Sequence, residues 1–132
     1  MTDTISKQQI EQIFLDKWGI QLYWYEDQFS RMDGWFIWKD KRYEIELKRR
    51  RFDSNQYPTT IVNLDKFKEL ISNKGILIIL FNDRWCVTTD PASTYLKVTP
   101  MYARQTTDFG GEWQWSDKVE LNLNSFKWFD YD

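Results

Sequence analysis

A chain of 132 residues, 42% hydrophobic and 18% aromatic, can bury a core without disulfides or metals, and its length suits one domain spanning 1–132. The only cysteine, Cys86, excludes an internal disulfide, and the absence of histidine excludes His-ligated metals, Ser-His-Asp triads and imidazole bases. The net charge of −2 is uneven: seven cations fall between Lys39 and Arg51, whereas the tail from Thr106 is acidic.

Ser6 and Gln9 read as a capping box, with Ile5 as a staple onto Ile10. Ile10, Ile13, Phe14 and Trp18 then repeat at helical spacing as far as Gly19, a stop signal. Ile20 to Tyr25 alternates as a strand, and two strand-like runs, Met32 to Trp38 and Arg42 to Lys48, flank Lys39-Asp40-Lys41. Arg49 to Thr60 is polar, contains Pro58 and reads as a loop. Asn63 is placed to cap a second helix with the stripe Leu64, Phe67, Leu70 and Ile71, ended by Gly75. Ile76 to Phe81 is apolar without alternation, the pattern of a central strand covered on both faces. Asn82-Asp83 reads as a turn and Trp85 to Thr89 as a strand. Beyond Pro91, Tyr95 to Tyr102 and Lys118 to Leu123 read as strands and Gly110-Gly111 as a turn. The order is helix, three strands, helix, strand, strand, then a β-rich C-terminal extension over 91–132. That order predicts an α/β fold with a mixed sheet, its core within about 6–90.

No apolar run approaches the length of a membrane span. The start, MTDTISKQQI, lacks the basic-then-apolar pattern of a secretory signal. The expectation is a soluble cytoplasmic protein with no membrane partner.

The hairpin holds the densest chemistry. Opposed residues on paired strands share a face. Lys39 set opposite Arg42 fits a two-residue or a four-residue loop. One face then holds Gly34, Phe36 and Trp38 with Tyr43, Ile45 and Leu47, and is free of charge, so it is the core face. The other gathers Asp33, Trp35 and Ile37 with Glu44, Glu46 and Lys48, placing Lys48 opposite Asp33 and Glu46 diagonal to it. Exposed strands often alternate Glu and Lys as ordinary cross-strand pairs. Trp35 and Ile37 on the same face indicate cover, however, and covered carboxylates need a partner. Two carboxylates without histidine form a hard-oxygen site suited to Mg²⁺ or Mn²⁺. An adjacent ammonium stabilises charge on a phosphate under attack, and Arg49, Arg50 and Arg51 follow as candidate phosphate contacts. The combination points to metal-dependent phosphodiester cleavage in nucleic acid.

Asp33 followed by Glu46-Leu47-Lys48 resembles the D…(D/E)-x-K signature of the PD-(D/E)XK nuclease superfamily, whose core order of helix, three strands, helix, strand matches the reading of residues 6–81. The resemblance implies a restriction-endonuclease-like αβββαβ core. It makes Asp33 and Glu46 metal ligands, helped by the Leu47 carbonyl, and gives Lys48 the attacking water. It implies Mg²⁺, with Mn²⁺ as a substitute, and DNA as substrate. Many members add an acid from the first helix, here Glu11, and a basic residue from the second, here Lys66 with Lys68 as the alternative. Met32 stands where the family often has Pro. Glu44 is an extra carboxylate that pairs with Arg42 or Lys39, or binds a second metal. The small size favours structure-selective cleavage, as in junction resolution, recombination or repair, and small members are often homodimers. A non-catalytic nucleic-acid or protein binding module that kept the fold is the alternative. Trp113, Trp115, Trp128, Phe129 and Tyr131 read as core, as an oligomer contact or as a base-stacking platform.

Overall fold

The structure is a computed structural model that describes residues 4–27, 29–104 and 113–131. Helix α1 (Thr4–Trp18) buries Ser6, Ile10 and Phe14. It begins ahead of the expected capping box, so Ser6 lies inside the helix and Ile5 is exposed rather than stapled. Gly19 ends it at φ +66°, donating to the Leu15 carbonyl at 2.9 Å.

A six-stranded sheet runs in the order β1 (Tyr23–Trp24), β2 (Gly34–Trp38), β3 (Lys41–Arg49), β5 (Ile76–Leu80), β6 (Arg84–Thr88), β9 (Lys127–Asp130). All its pairings are antiparallel except β3–β5, so the sheet is mixed as expected. The parallel pair needs a crossover. The chain makes it through β4 (Thr59–Asn63) and α2 (Leu64–Ser72). The end of the stretch read as a loop is therefore a strand. It joins a second, three-stranded sheet with β8 (Trp113–Asn122) and β7 (Tyr95–Arg104), in the order β4-β8-β7. Its pairing partner lies far along the chain, Asn63 against Lys118 at a separation of 55, so no local pattern announces it. The Gly110-Gly111 turn lies outside the described residues.

The hairpin register differs from the expected one. Lys39 and Asp40 form the two-residue turn with φ of +52° and +65°, the left-handed pair that a tight hairpin requires. Trp38 pairs with Lys41, Phe36 with Tyr43 and Gly34 with Ile45. Lys39 tolerates this backbone while its ammonium rests 4.4 Å from the centre of the Trp38 ring. The slip is two residues, so every side chain keeps its face. Only the partners change: Asp33, whose N–H donates to the Ile45 carbonyl at 2.9 Å, now comes beside Glu46 rather than Lys48. Gly34 is required here, because a Cβ would stand 2.3 Å from the Tyr23 carbonyl and 2.8 Å from the Trp24 ring.

α2 follows Asn63 as expected, but the Asn63 side chain makes no capping hydrogen bond, its Oδ1 accepting from Lys118 instead. The left-handed residue at the other end is Lys74, at φ +51°, rather than Gly75. Lys74 donates to the Ile71 carbonyl at 3.2 Å and Gly75 to the Leu70 carbonyl at 2.8 Å, a Schellman ending.

Two cores sandwich the main sheet. One packs α1 through Ile10 and Phe14 on Phe36, Ile45, Leu47, Ile78 and Trp85. The other packs Leu77 and Ile79 against Leu70 of α2 and against Val62, Val119 and Leu121 of the second sheet. β5 is thus buried on both faces, as its apolar run predicts. The extension after residue 90 is part of the second core, supplying Val119, Leu121, Leu123 and Phe126. Phe129 stacks on Trp85 at 4.7 Å, whereas Trp113 and Trp115 are exposed. Among the described residues, no helix is long and apolar enough to cross a membrane.

Candidate active site

Alternation along β3 sends Ile45 and Leu47 into the core beneath α1, so Glu44, Glu46 and Lys48 face the side of α2. Asp33, just ahead of β2, is fixed there by its own carboxylate: Oδ2 accepts the Leu47 N–H at 2.7 Å. The Glu46 side chain is 4% exposed. Its Oε2 is 3.3 Å from Lys48 Nζ and its Oε1 is 3.4 Å from Lys66 Nζ. Lys66, in the first turns of α2, also donates to the Arg31 carbonyl and lies 3.3 Å from Glu69 Oε2. The structure thus brings Asp33, Glu46, Lys48 and Lys66 together.

Glu46 Oε1 is buried without a hydrogen bond, since the Lys66 ammonium attracts it without bonding to it. Burial pushes the Glu46 carboxyl above its ordinary range, and the Asp33 charge adds to the rise. Lys48 and Lys66 pull it back only in part. A buried carboxylate next to a second carboxylate is a place where an added cation would be welcome. Mg²⁺ is commonly held by one or two carboxylates, completed by water and phosphate oxygens, and Asp33 with Glu46 fits that pattern. Among the described residues, no three His, Cys, Asp or Glu side chains converge into an all-protein cage.

Glu44, on the same face, is occupied differently. Tyr25 Oη donates to it, lying 2.9 and 2.8 Å from its two oxygens. Arg42 Nε approaches Oε1 to 3.4 Å, which is the Arg42 pairing among the expected options. Arg42 also donates to Tyr25 Oη at 2.6 Å and lies 4.1 Å from the centre of the Trp35 ring.

Glu11 is not brought to Glu46. It rides on α1, across the sheet, and accepts from Gln21 Nε2 at 3.5 Å. Arg49 spends its guanidinium on the Arg50 and Leu80 carbonyls and on Asn82 Oδ1, tying the end of β3 to that of β5. Arg50 donates to the Ile61 carbonyl at 2.8 Å, and burial lowers its pKa. Of the arginine run, Arg51 is the exposed member.

Sequence reasoning missed Tyr25, the clamp on Glu44, and two hollows. One, of about 650 Å³, lies beside Lys66 and carries Asp65, Glu69 and Asp117 with Arg31. The other, of about 670 Å³, opens at Lys48 and draws its walls from β3, β4 and β8. Lys118 reaches it by pairing with Asn63 across β4 and β8, a contact that only the missed strand could have foretold. No protein-family model matches this chain, and no curated protein matches it significantly.

Proposed function

We propose that this protein is a metal-dependent nuclease that hydrolyses phosphodiester bonds in DNA, of the PD-(D/E)XK type. The observation that carries the reading is the buried Glu46 carboxylate, with one oxygen lacking a hydrogen bond, set between Asp33 and the Lys48 ammonium. The element order supports it: a helix, a three-stranded antiparallel meander and a crossover helix lead into a strand parallel to β3, with one strand, β4, added on the way.

In this reading Asp33, Glu46 and the Leu47 carbonyl hold a divalent ion, which supplies charge neutralisation at the phosphoryl oxygens and lowers the pKa of a bound water. The Leu47 N–H fixes the Asp33 carboxylate, so this ligand is oriented before any substrate arrives. Lys48, on the rim and one residue beyond the carbonyl, orients the water and steadies the charge that builds on the phosphate. Lys66 holds Glu46 from the other side and ties it to the Arg31 carbonyl. Branched or otherwise structured DNA is the proposed substrate, with a homodimer setting two such centres across it. Magnesium, or manganese in its place, is the proposed cofactor.

The test is cleavage of labelled duplex, single-stranded and four-way-junction DNA with Mg²⁺, Mn²⁺ or EDTA, beside Lys48→Ala. Metal-dependent cutting that the variant loses supports the reading. Equal cutting by both proteins, or none by either on all three substrates, sinks it. One observation favours a non-catalytic binding module instead: two lysines already flank Glu46. Metal-independent, salt-sensitive DNA binding without cleavage is the outcome that selects it.

A further inference from the structure

The two hollows beside the candidate site differ in charge. The one at Lys66 carries three carboxylates, Asp65, Glu69 and Asp117, against two cations, Arg31 and Lys66. The one at Lys48 carries three cations, Lys48, Arg50 and Lys118, and no carboxylate among its described lining residues. In a chain of net charge −2 that segregation marks one groove for an anionic ligand.

The cationic groove also has an aromatic wall. Tyr57, from the polar loop before β4, is 54% exposed. Its ring meets Phe52 edge-on, with centroids 5.4 Å apart at 88°, so Phe52 steadies it. A supported aromatic ring beside spaced cations is the pairing that takes a base and its flanking phosphates. The outer edge of β4 completes the wall, and Arg50 already donates to its Ile61 carbonyl. A stacked duplex keeps its base faces to itself, so a ring of this kind serves an unpaired strand.

We infer that this groove binds single-stranded polynucleotide, with a base on Tyr57 and the backbone along Lys118 and Arg50, delivering the strand to Lys48. The inference rests on the nucleic-acid part of the function proposed above and names the form of the substrate. It predicts a substrate with an unpaired segment, such as a flap, gap or opened branch, next to the bond that is cut.

The experiment is fluorescence anisotropy in EDTA, so that binding is read apart from cleavage. The probes are labelled oligothymidylate, oligouridylate and a blunt duplex, which separate DNA from RNA and single from double strands. Tyr57→Ala is expected to weaken single-strand binding by about 5- to 150-fold, the range for losing one stacked base, and to leave duplex binding unchanged. Tyr57→Trp keeps a stacking face and is expected to restore single-strand binding. K118Q is expected to lower the slope of log K against log salt for the single strand by about 0.7. Melting temperatures of all variants check the fold. Wild-type binding only to duplex, or Tyr57→Ala binding the single strand as the wild type does, overturns the inference. Cutting that persists with no dependence on Tyr57 overturns the groove and leaves the nuclease standing. Single-strand binding through Tyr57 without metal-dependent cutting does the reverse.

Discussion

Glu44 and Glu46 sit two residues apart on the same face of the same strand, yet the fold treats them in opposite ways. Glu44 is met by a phenol and a guanidinium, and Tyr25, Arg42 and Glu44 form a closed set. Glu46 is more deeply buried, has a second carboxylate beside it and keeps one oxygen without a hydrogen bond. The first arrangement is complete as it stands and serves the strand that carries it. The second is flanked by two ammonium groups, Lys48 and Lys66, yet burial and the neighbouring Asp33 charge still raise its pKa, so its charge is compensated only in part. Residue type and spacing alone cannot separate these two roles; the state of the lone pairs does.

The strongest way to break this contrast is activity. Lys48→Ala is expected to cut metal-dependent DNA cleavage by about 100-fold or more, while Glu44→Gln leaves the rate unchanged. Comparable losses in both would erase the distinction. Metal binding sharpens it next, independently of turnover. Saturating Mg²⁺, at 100 times its dissociation constant, is expected to stabilise the wild type by about 2.7 kcal/mol in thermal unfolding, reversibly with EDTA. Asp33→Asn and Glu46→Gln are expected to lose that gain and Glu44→Gln to keep it.

A third consequence is the pH dependence of the metal-free protein. Glu46 binds its proton more tightly in the folded chain than in the unfolded one, chiefly through burial. The folded state therefore holds more protons between the two pKa values, and stability falls as pH rises across that window. The contribution is full below the unfolded value of about 4.3 and is lost as pH passes the higher folded value. Glu46→Gln, an uncharged stand-in for the acid, is expected to overtake the wild type in urea unfolding as pH rises from acid to neutral in EDTA. A constant difference would show that Glu46 binds its proton no more tightly in the folded chain than in the unfolded one. The smallest effect belongs to the closed set: Tyr25→Phe is expected to cost about 1 kcal/mol of stability without altering cleavage.

What could be read in the sequence follows the range over which each signal acts. α1, α2 and β5 announce themselves through helical spacing, Asn63 and an unbroken apolar run. The faces of the hairpin were legible because alternation is local, but its exact partners were not. The choice of Lys39-Asp40 as the turn depends on left-handed backbone at a lysine, which sequence disfavours. β4 follows a polar loop, and its pairing with β8 is remote, so its place as the wall of the Lys48 groove was hidden. The grouping of Asp33 with Glu46 and Lys48 survived the register error because a two-residue slip preserves faces. Lys66 came from the resemblance, which implies a basic residue on the second helix, and it arrives at Glu46 because the crossover lays α2 on that side. The clamp by Tyr25 needed a chain path between β1 and β2 that no period encodes.

The placement of β9 bears on how this chain acquires its shape during synthesis. Lys127–Asp130 pairs with β6, some forty positions earlier, and Phe129 closes over Trp85 there. Until those residues leave the ribosome, β6 offers an open row of amide and carbonyl groups to any strand nearby. The nascent chain can form the hairpin and α2 early, because their contacts are local, but it covers the β6 edge late, with the short β9 then forming the border of the sheet. A protein shortened ahead of Lys127 would keep every residue of the proposed catalytic group and still present a sticky border. Aggregation, rather than a quiet loss of activity, is the failure to look for in such a truncation.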